Sequence, residues 1–340
     1  MTDPRPVVTD VHAHILLPSL HAEIERRAPE GVRAAAALEL TRNGAESLAV
    51  SGPMVGSRVP KLTDVAVRLA DMDAQGVDRQ WVSASPNHFY PWADEELAVW
   101  AARESNRLIA AHVALAPERL TGLGLVPLQH PDRIVECLDD AVVDHGLAGV
   151  EISSFAADVE LSDPRLEPLW TRAAELGAVV FLHPFGCSLD ERLDRFYLSN
   201  TVGQPTENAV ALSHLIFSGV LDRHPDLTLV VAHGGGYLPT AIGRSDHAWR
   251  VRPEARGCAH APSTYLRKIW FDTVVHDALA LRHLVENAGA SQVVLGSDYP
   301  FDMGLDDPIA FVRGAGLPAE VERRILAGNA DALLRERARA

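Results

Sequence analysis

The sequence predicts an α/β fold, a (β/α)8 TIM barrel with an insertion after strand 1, on three observations. Eight short apolar or β-branched runs alternate with longer stretches of helical spacing along 340 residues, as repeated βα units around a parallel sheet require. Four of those runs carry His or Asp at their end or are directly followed by one. A closed barrel gathers strand carboxyl ends into one mouth, whereas a doubly wound sheet spreads them along an edge. The composition, 47% apolar and 23% charged, is that of a folded core and not of a disordered chain.

In chain order, the strand runs cover residues 7–15, 80–85, 122–128, 149–153, 178–182, 228–232, 269–274 and 292–297. Helical spacing falls at 62–75, 94–115, 132–144, 165–176, 207–222 and 278–288. Thr63 or Asp64, and Asp132, stand where N-caps belong; Gly76, Gly146, Gly177 and Gly289 follow helix ends, matching the usual start and stop chemistry. Two segments break the repeat, 18–60 after the first run and 184–205 after the fifth. Both follow a strand's carboxyl end, so both are expected at the mouth, as a lid and a substrate wall. Residues 305–340 read as closing C-terminal helices, which makes 1–340 a single domain.

Charge and cysteine usage narrow the partners. There are 31 Lys+Arg against 46 Asp+Glu, a net charge of −15, and no block of basic residues. That balance repels a phosphate backbone and argues against nucleic acid. Cys137, Cys187 and Cys258 are too few and too scattered for a disulfide framework or a zinc knuckle, which suits a reducing cytoplasm. No basic start followed by an apolar stretch opens the sequence, and no run reaches the ~18 apolar residues of a membrane span; neither export nor a membrane is expected.

The strongest chemical signal is Asp10-Val11-His12-Ala13-His14 at the end of the first run. Side chains alternate on a strand, so Asp10, His12 and His14 are expected on one face, with two imidazoles able to converge on one ion. His183 follows AVVFL, His233 follows LTLVVA and Asp298 follows QVVLGS. Each ends a predicted strand, and the first, fifth, sixth and eighth strands therefore deliver His or Asp to one mouth. His276, after the seventh run, is the other histidine expected near it.

The segments DVHAH, FLHP, AHGGGYLP and GSDYPF, with RLADMDAQGV, LTGLGLVPLQHP, VGQPTE and LAGNADALL elsewhere, resemble the amidohydrolase superfamily. More narrowly they resemble its 2-amino-3-carboxymuconate 6-semialdehyde decarboxylase-like branch. The resemblance implies a (β/α)8 barrel with one divalent metal, usually Zn2+, with Mn2+ as the alternative. It implies His12, His14, His183 and Asp298 as ligands and His233 as acid/base beside the metal's water. Arg244 and Arg252 match two arginines that clamp a substrate carboxylate, one reaching across from a neighbouring subunit, which implies a homodimer. A third family arginine, after strand one, has Arg58 as its nearest counterpart, out of register. Asn200 stands where the eukaryotic decarboxylases of that branch carry a pocket tryptophan, a form also similar to related decarboxylases of aromatic acids, and Phe301 and Trp92 are candidate apolar walls. Glu151, on strand four, is expected to support the ligands without being one, as is Asp10.

Two reactions fit such a site: non-oxidative decarboxylation of a small unsaturated or aromatic carboxylic acid, and hydrolysis or hydration of a small amide, lactone or keto-acid. The ligand set is common to both.

Overall fold

The structure, a computed structural model, describes residues 6–337; the ends of the single-domain reading, 1–5 and 338–340, lie outside the described residues. Eight parallel strands form the barrel: β1 (Thr9–Ile15), β2 (Arg79–Ala84), β3 (Leu120–Leu125), β4 (Gly149–Ile152), β5 (Val179–Leu182), β6 (Thr228–Val231), β7 (Trp270–Asp272) and β8 (Val293–Val294), neighbours in that order. The ring closes beyond β8, where Val11 N–H donates to the Leu295 carbonyl, Asp298 N–H to that of His12 and His14 N–H to that of Tyr299. Those bonds hold the Asp298 loop against β1. A small antiparallel hairpin, Phe155–Ala156 with Val159–Glu160, follows β4.

Alternation along the strands sorts the core into two layers. Val180, Leu182, Leu229, Val231 and Phe271 face the helices, while Trp81, Leu123, Val179, Phe181 and Val230 fill the barrel. Ala330 and Leu333 of the helix Asn329–Arg337 join that inner cluster. The closing helix thus seals the end where the strands begin, leaving their carboxyl ends for the site.

Helix starts follow local chemistry. Asp64, Asp94, Asp277 and Asp307 each accept a backbone N–H in the first turn of the helix they precede, and Gly76 takes the left-handed C-cap conformation. Asp132 does not cap: it lies inside a 3-10 turn, Pro131–Arg133, that precedes the helix Ile134–Asp139. The expected helix over 207–222 begins earlier, at Gln204, and is broken at Gly219 into Gln204–Phe217 and Val220–Arg223.

Residues 18–63 after β1 form two helices, Pro18–Arg27 and Pro29–Thr63. The second is kinked at Gly44, whose φ of 73° and close approach to the Asp194 carbonyl leave no room for a Cβ. At that contact Arg42 Nε also donates to Asp190 Oδ1 at 3.1 Å, so the helix rests on the segment after β5.

A wholly buried arginine ties the helix layer to β1. Arg68 donates to the His14 carbonyl and to Gln80 Oε1, each at 2.5 Å, and lies 4.9 Å over the Tyr299 ring. Burial pulls its guanidinium down to about 10, still protonated at neutral pH. Replacing it by Met leaves two buried acceptors unpaired, and a loss of about 3 kcal/mol is expected. Urea unfolding reads this directly; a change below about 1 kcal/mol would show that the network does not hold β1 in place.

Candidate active site

Every candidate ligand expected from the sequence comes from a strand's carboxyl end, where the backbone leaves the sheet. A register irregularity between Asp10 and Ala13 interrupts β1, and this bulge alters the expected alternation. Val11 packs inside the barrel, while the Asp10 carboxylate accepts from Ser297 N and Oγ, Gln80 Nε2 and His12 N. Asp10 therefore braces the backbone of β1 against β2 and the β8 loop and does not reach the imidazole rings. His12 and His14 still converge, with their Nε2 atoms 3.1 Å apart.

Both are fully buried, as nearly are His183 and Asp298. Asp298 Oδ1 lies 3.2 Å from His14 Nε2 and 3.5 Å from His12 Nε2, and its Oδ2 lies 3.5 Å from His233 Nε2. Ligating atoms of His12, His183, His233 and Asp298 all fall within 4.8 Å of one another, as do those of His14, Glu151 and His183. His233 and Asp298 both hold positive φ, 55° and 58°, a conformation that costs non-glycine residues about 1–3 kcal/mol and is retained where side-chain placement requires it. The glycines after His233 allow a tight path: at Gly236, with φ of 63°, a Cβ would meet the Pro205 carbonyl at 2.1 Å.

The outer nitrogens of the rings are anchored, which turns their Nε2 atoms inward. His12 Nδ1 is 2.6 Å from Asp272 Oδ2, His183 Nδ1 donates to the Pro184 carbonyl at 2.9 Å, and His14 Nδ1 lies 3.4 Å from Ser83 Oγ. Burial pushes His12 down, but the carboxylates of Asp298, Asp272 and Asp10 outweigh it and raise the ring to about 9. Burial lowers His14 and takes His183 well below the ordinary imidazole value, so both are neutral lone-pair donors. Burial opposes ionisation of Asp298, yet the surrounding histidines hold it well below the usual carboxylate range.

His183 Nε2 and both oxygens of Glu151 are buried without a hydrogen-bond partner. Such groups are costly inside a protein, and a divalent cation among inward-facing imidazole nitrogens and the Asp298 carboxylate would satisfy His183 Nε2; the donor set fits a divalent metal. Burial drives the Glu151 carboxyl well above its ordinary value.

Two adjoining lobes of cavity open onto this cluster. The larger, about 440 Å³, is bounded by His14, His183, Phe185, Phe301 and by Ser51, Met54 and Val55 of the helix Pro29–Thr63. The smaller, about 370 Å³, is bounded by Val274, Val275, Leu284 and His276. Asn200, Gln204, His233, Asp298 and Met303 border both. Asn200 and Phe301 are thus brought to the cluster. Trp92 is not: it packs against Gly31 at the start of the long helix. Arg58 Nε donates to the Pro300 carbonyl and lines a separate cavity behind Phe301. Arg244 and Arg252 are exposed on and just after the helix Leu238–Val251, border neither lobe, and Arg252 pairs with Glu254.

Asp272 and Gln204 were not singled out by the sequence patterns. Asp272 obeys the same strand-end rule as His183 and Asp298, but the seventh run continues apolar to Val274 and conceals where β7 ends. Gln204 is one polar residue of VGQPTE, and only its spacing of four from Asn200 on helical backbone marks it.

The chain matches the amidohydrolase family model over residues 9–335. It is 37% identical over 243 residues to 2-amino-3-carboxymuconate-6-semialdehyde decarboxylase of Dictyostelium discoideum, covering 71% of this chain and 68% of that protein. The enzyme of the same name from Caenorhabditis elegans is 29% identical over 347 residues, covering 87% and 86%. Among solved structures, 5-carboxyvanillate decarboxylase from Sphingomonas paucimobilis superposes with a TM-score of 0.83 at 25% identity, covering 97% of this chain and 99% of that one.

Proposed function

Since this chain belongs to the amidohydrolase family, in its 2-amino-3-carboxymuconate 6-semialdehyde decarboxylase-like branch, we propose that it is a metal-dependent, non-oxidative decarboxylase of a small unsaturated or aromatic carboxylic acid. The observation that carries the reading is the half-buried His233 standing beside the Asp298 carboxylate at the neck of a two-lobed cavity.

His12, His14, His183 and Asp298 would hold the ion. The nitrogen-rich donors favour zinc, with manganese as the comparison. When bound, a divalent ion supplies positive charge and Lewis acidity at the barrel mouth. The chain's own groups do the rest. His233 delivers a proton to the carbon bearing the carboxylate; the bond to the carboxylate then breaks, its electron pair stays with that carbon, and carbon dioxide leaves. Proton transfer from a positioned imidazole suits neutral pH. Leu16, Val55, Phe185, Phe301 and Met303 give the larger lobe apolar walls, which limit water around the reacting carbon.

The helices over 18–63 act as a lid, a reading supported by the residues of the second helix that line the larger lobe. Arg244 and Arg252, both exposed, serve as the carboxylate clamp, one of them reaching the site of a second copy in a homodimer. The cytoplasm is the assigned compartment, supported by three cysteines that are all free and buried. No helix among the described residues is long and apolar enough to cross a membrane.

The direct test is carbon dioxide release by metal-replete protein from 2-amino-3-carboxymuconate 6-semialdehyde and a panel of hydroxybenzoic acids. Release from at least one acid is expected, falling about 100-fold or more after chelation and returning with zinc or manganese. Hydrolysis of an ester or amide without carbon dioxide release from any acid would replace this reading by the hydrolase one.

A further inference from the structure

We propose that the smaller lobe is a side pocket for an apolar branch of the acid, and that Gln204 at its neck reads a hydrogen-bond donor on the same molecule. The preferred substrate class is then a hydroxyl- or amino-bearing carboxylic acid with an alkyl or similar branch. This deepens the decarboxylase reading and rests on it.

Two features of the lobe point to this chemistry. Its inner wall is apolar and buried, made by Pro239, Val274 and Leu284. Of its polar side chains, Thr201, Thr240 and His276 are exposed and form the outer rim, while Asn200, Gln204, His233 and Asp298 stand at the neck it shares with the larger lobe. A charged group against Pro239, Val274 and Leu284 would lose hydration without a charged side chain of that wall to meet it, whereas a methyl or isopropyl group gains by leaving water. Nor is the lobe a separate hole: five residues, His233 among them, border it and the larger lobe together. A planar acid with its carboxylate near the metal ligands can therefore direct a branch past His233 into it.

Gln204 stands at that passage. It borders both lobes, four residues after Asn200, and its Oε1 is buried without a hydrogen-bond partner. A buried acceptor left unpaired discriminates strongly in favour of a ligand that brings the missing donor. Asn200 is half-buried one helical turn before it. The pair gives the neck a hydrogen-bonding character that neither lobe's apolar wall supplies.

The test compares 2-hydroxybenzoate, benzoate and 2-hydroxybenzoates bearing a methyl or isopropyl group, by equilibrium binding and by kcat/KM for carbon dioxide release with the metal-replete protein. The native protein is expected to favour a branched over an unbranched acid and 2-hydroxybenzoate over benzoate, each about 10-fold or more. Ala280→Phe, which fills the lobe from the helix Ala278–Ala288, should erase the first preference, and Ala280→Val should reduce it. Gln204→Met should erase the second. Preferences that persist in these variants, or losses equal for branched and unbranched acids, would make the lobe an entrance route and overturn the proposal. Selective binding without carbon dioxide release would remove the decarboxylase reading and leave the pocket assignment standing. Release of carbon dioxide without either preference would do the reverse.

Discussion

His233→Ala is expected to lower turnover by about 1000-fold while the protein keeps its divalent ion. The magnitude is that of a positioned general acid or base. The retention of metal follows from the other donors: His12, His14, His183 and Asp298 remain, with His14 Nε2 3.1 Å from His12 Nε2 and 3.2 Å from Asp298 Oδ1. The opposite assignment is testable with the same variant, because His233 also falls within 4.8 Å of His12, His183 and Asp298. Metal analysis of purified protein and single-turnover carbon dioxide release separate the two. Loss of the ion together with activity would make His233 a ligand, and full activity would remove it from the chemistry. In either role its backbone geometry shows that the loop aims it: His233 is held at φ 55°, as Asp298 is at φ 58°.

Much of this site was legible because barrel geometry turns a one-dimensional rule into a three-dimensional one. His183, His233 and Asp298 each end an apolar run, and strands in a ring must bring such ends together. What was not legible came from contacts with no local signature. The bulge in β1 depends on pairing with β2 and with residues 295–299, so Asp10, on the imidazole face by simple alternation, is diverted to Gln80 and Ser297. Trp92 carries an aromatic ring near the mouth in sequence, yet the approach of Gly31 makes it part of the packing under the long helix. Arg58 has the right charge on the right segment, but its guanidinium is engaged by the Pro300 carbonyl. Side-chain type is readable from sequence; side-chain partner, where it lies 70 to 287 residues away as for Asp10, is not.

Asp272 shows the same limit and leads to the second large effect. Asp272→Ala is expected to weaken metal binding about 10- to 100-fold, and also to lower turnover about 100-fold when metal is saturating. The carboxylate is fully buried at the end of β7. Burial opposes its charge, but the bond to His12 and that ring's charge prevail and keep it below the usual carboxylate range. With Oδ2 2.6 Å from His12 Nδ1, it holds the proton on that nitrogen, so that Nε2 is the nitrogen that would give up its proton to a metal. Its other oxygen accepts from Gly234 N at 2.8 Å and Val274 N at 3.1 Å. Gly234 directly follows His233, so one carboxylate orients the proposed ligand His12 and anchors the loop carrying the proposed acid/base. Alanine would release both and strand two buried N–H groups. Metal titration reports the first consequence and kcat at saturating metal the second. A variant that binds the ion less tightly yet turns over normally once loaded would confine Asp272 to His12; one unchanged in both would show that strand-end carboxylates near a metal cluster do not by that position alone support it.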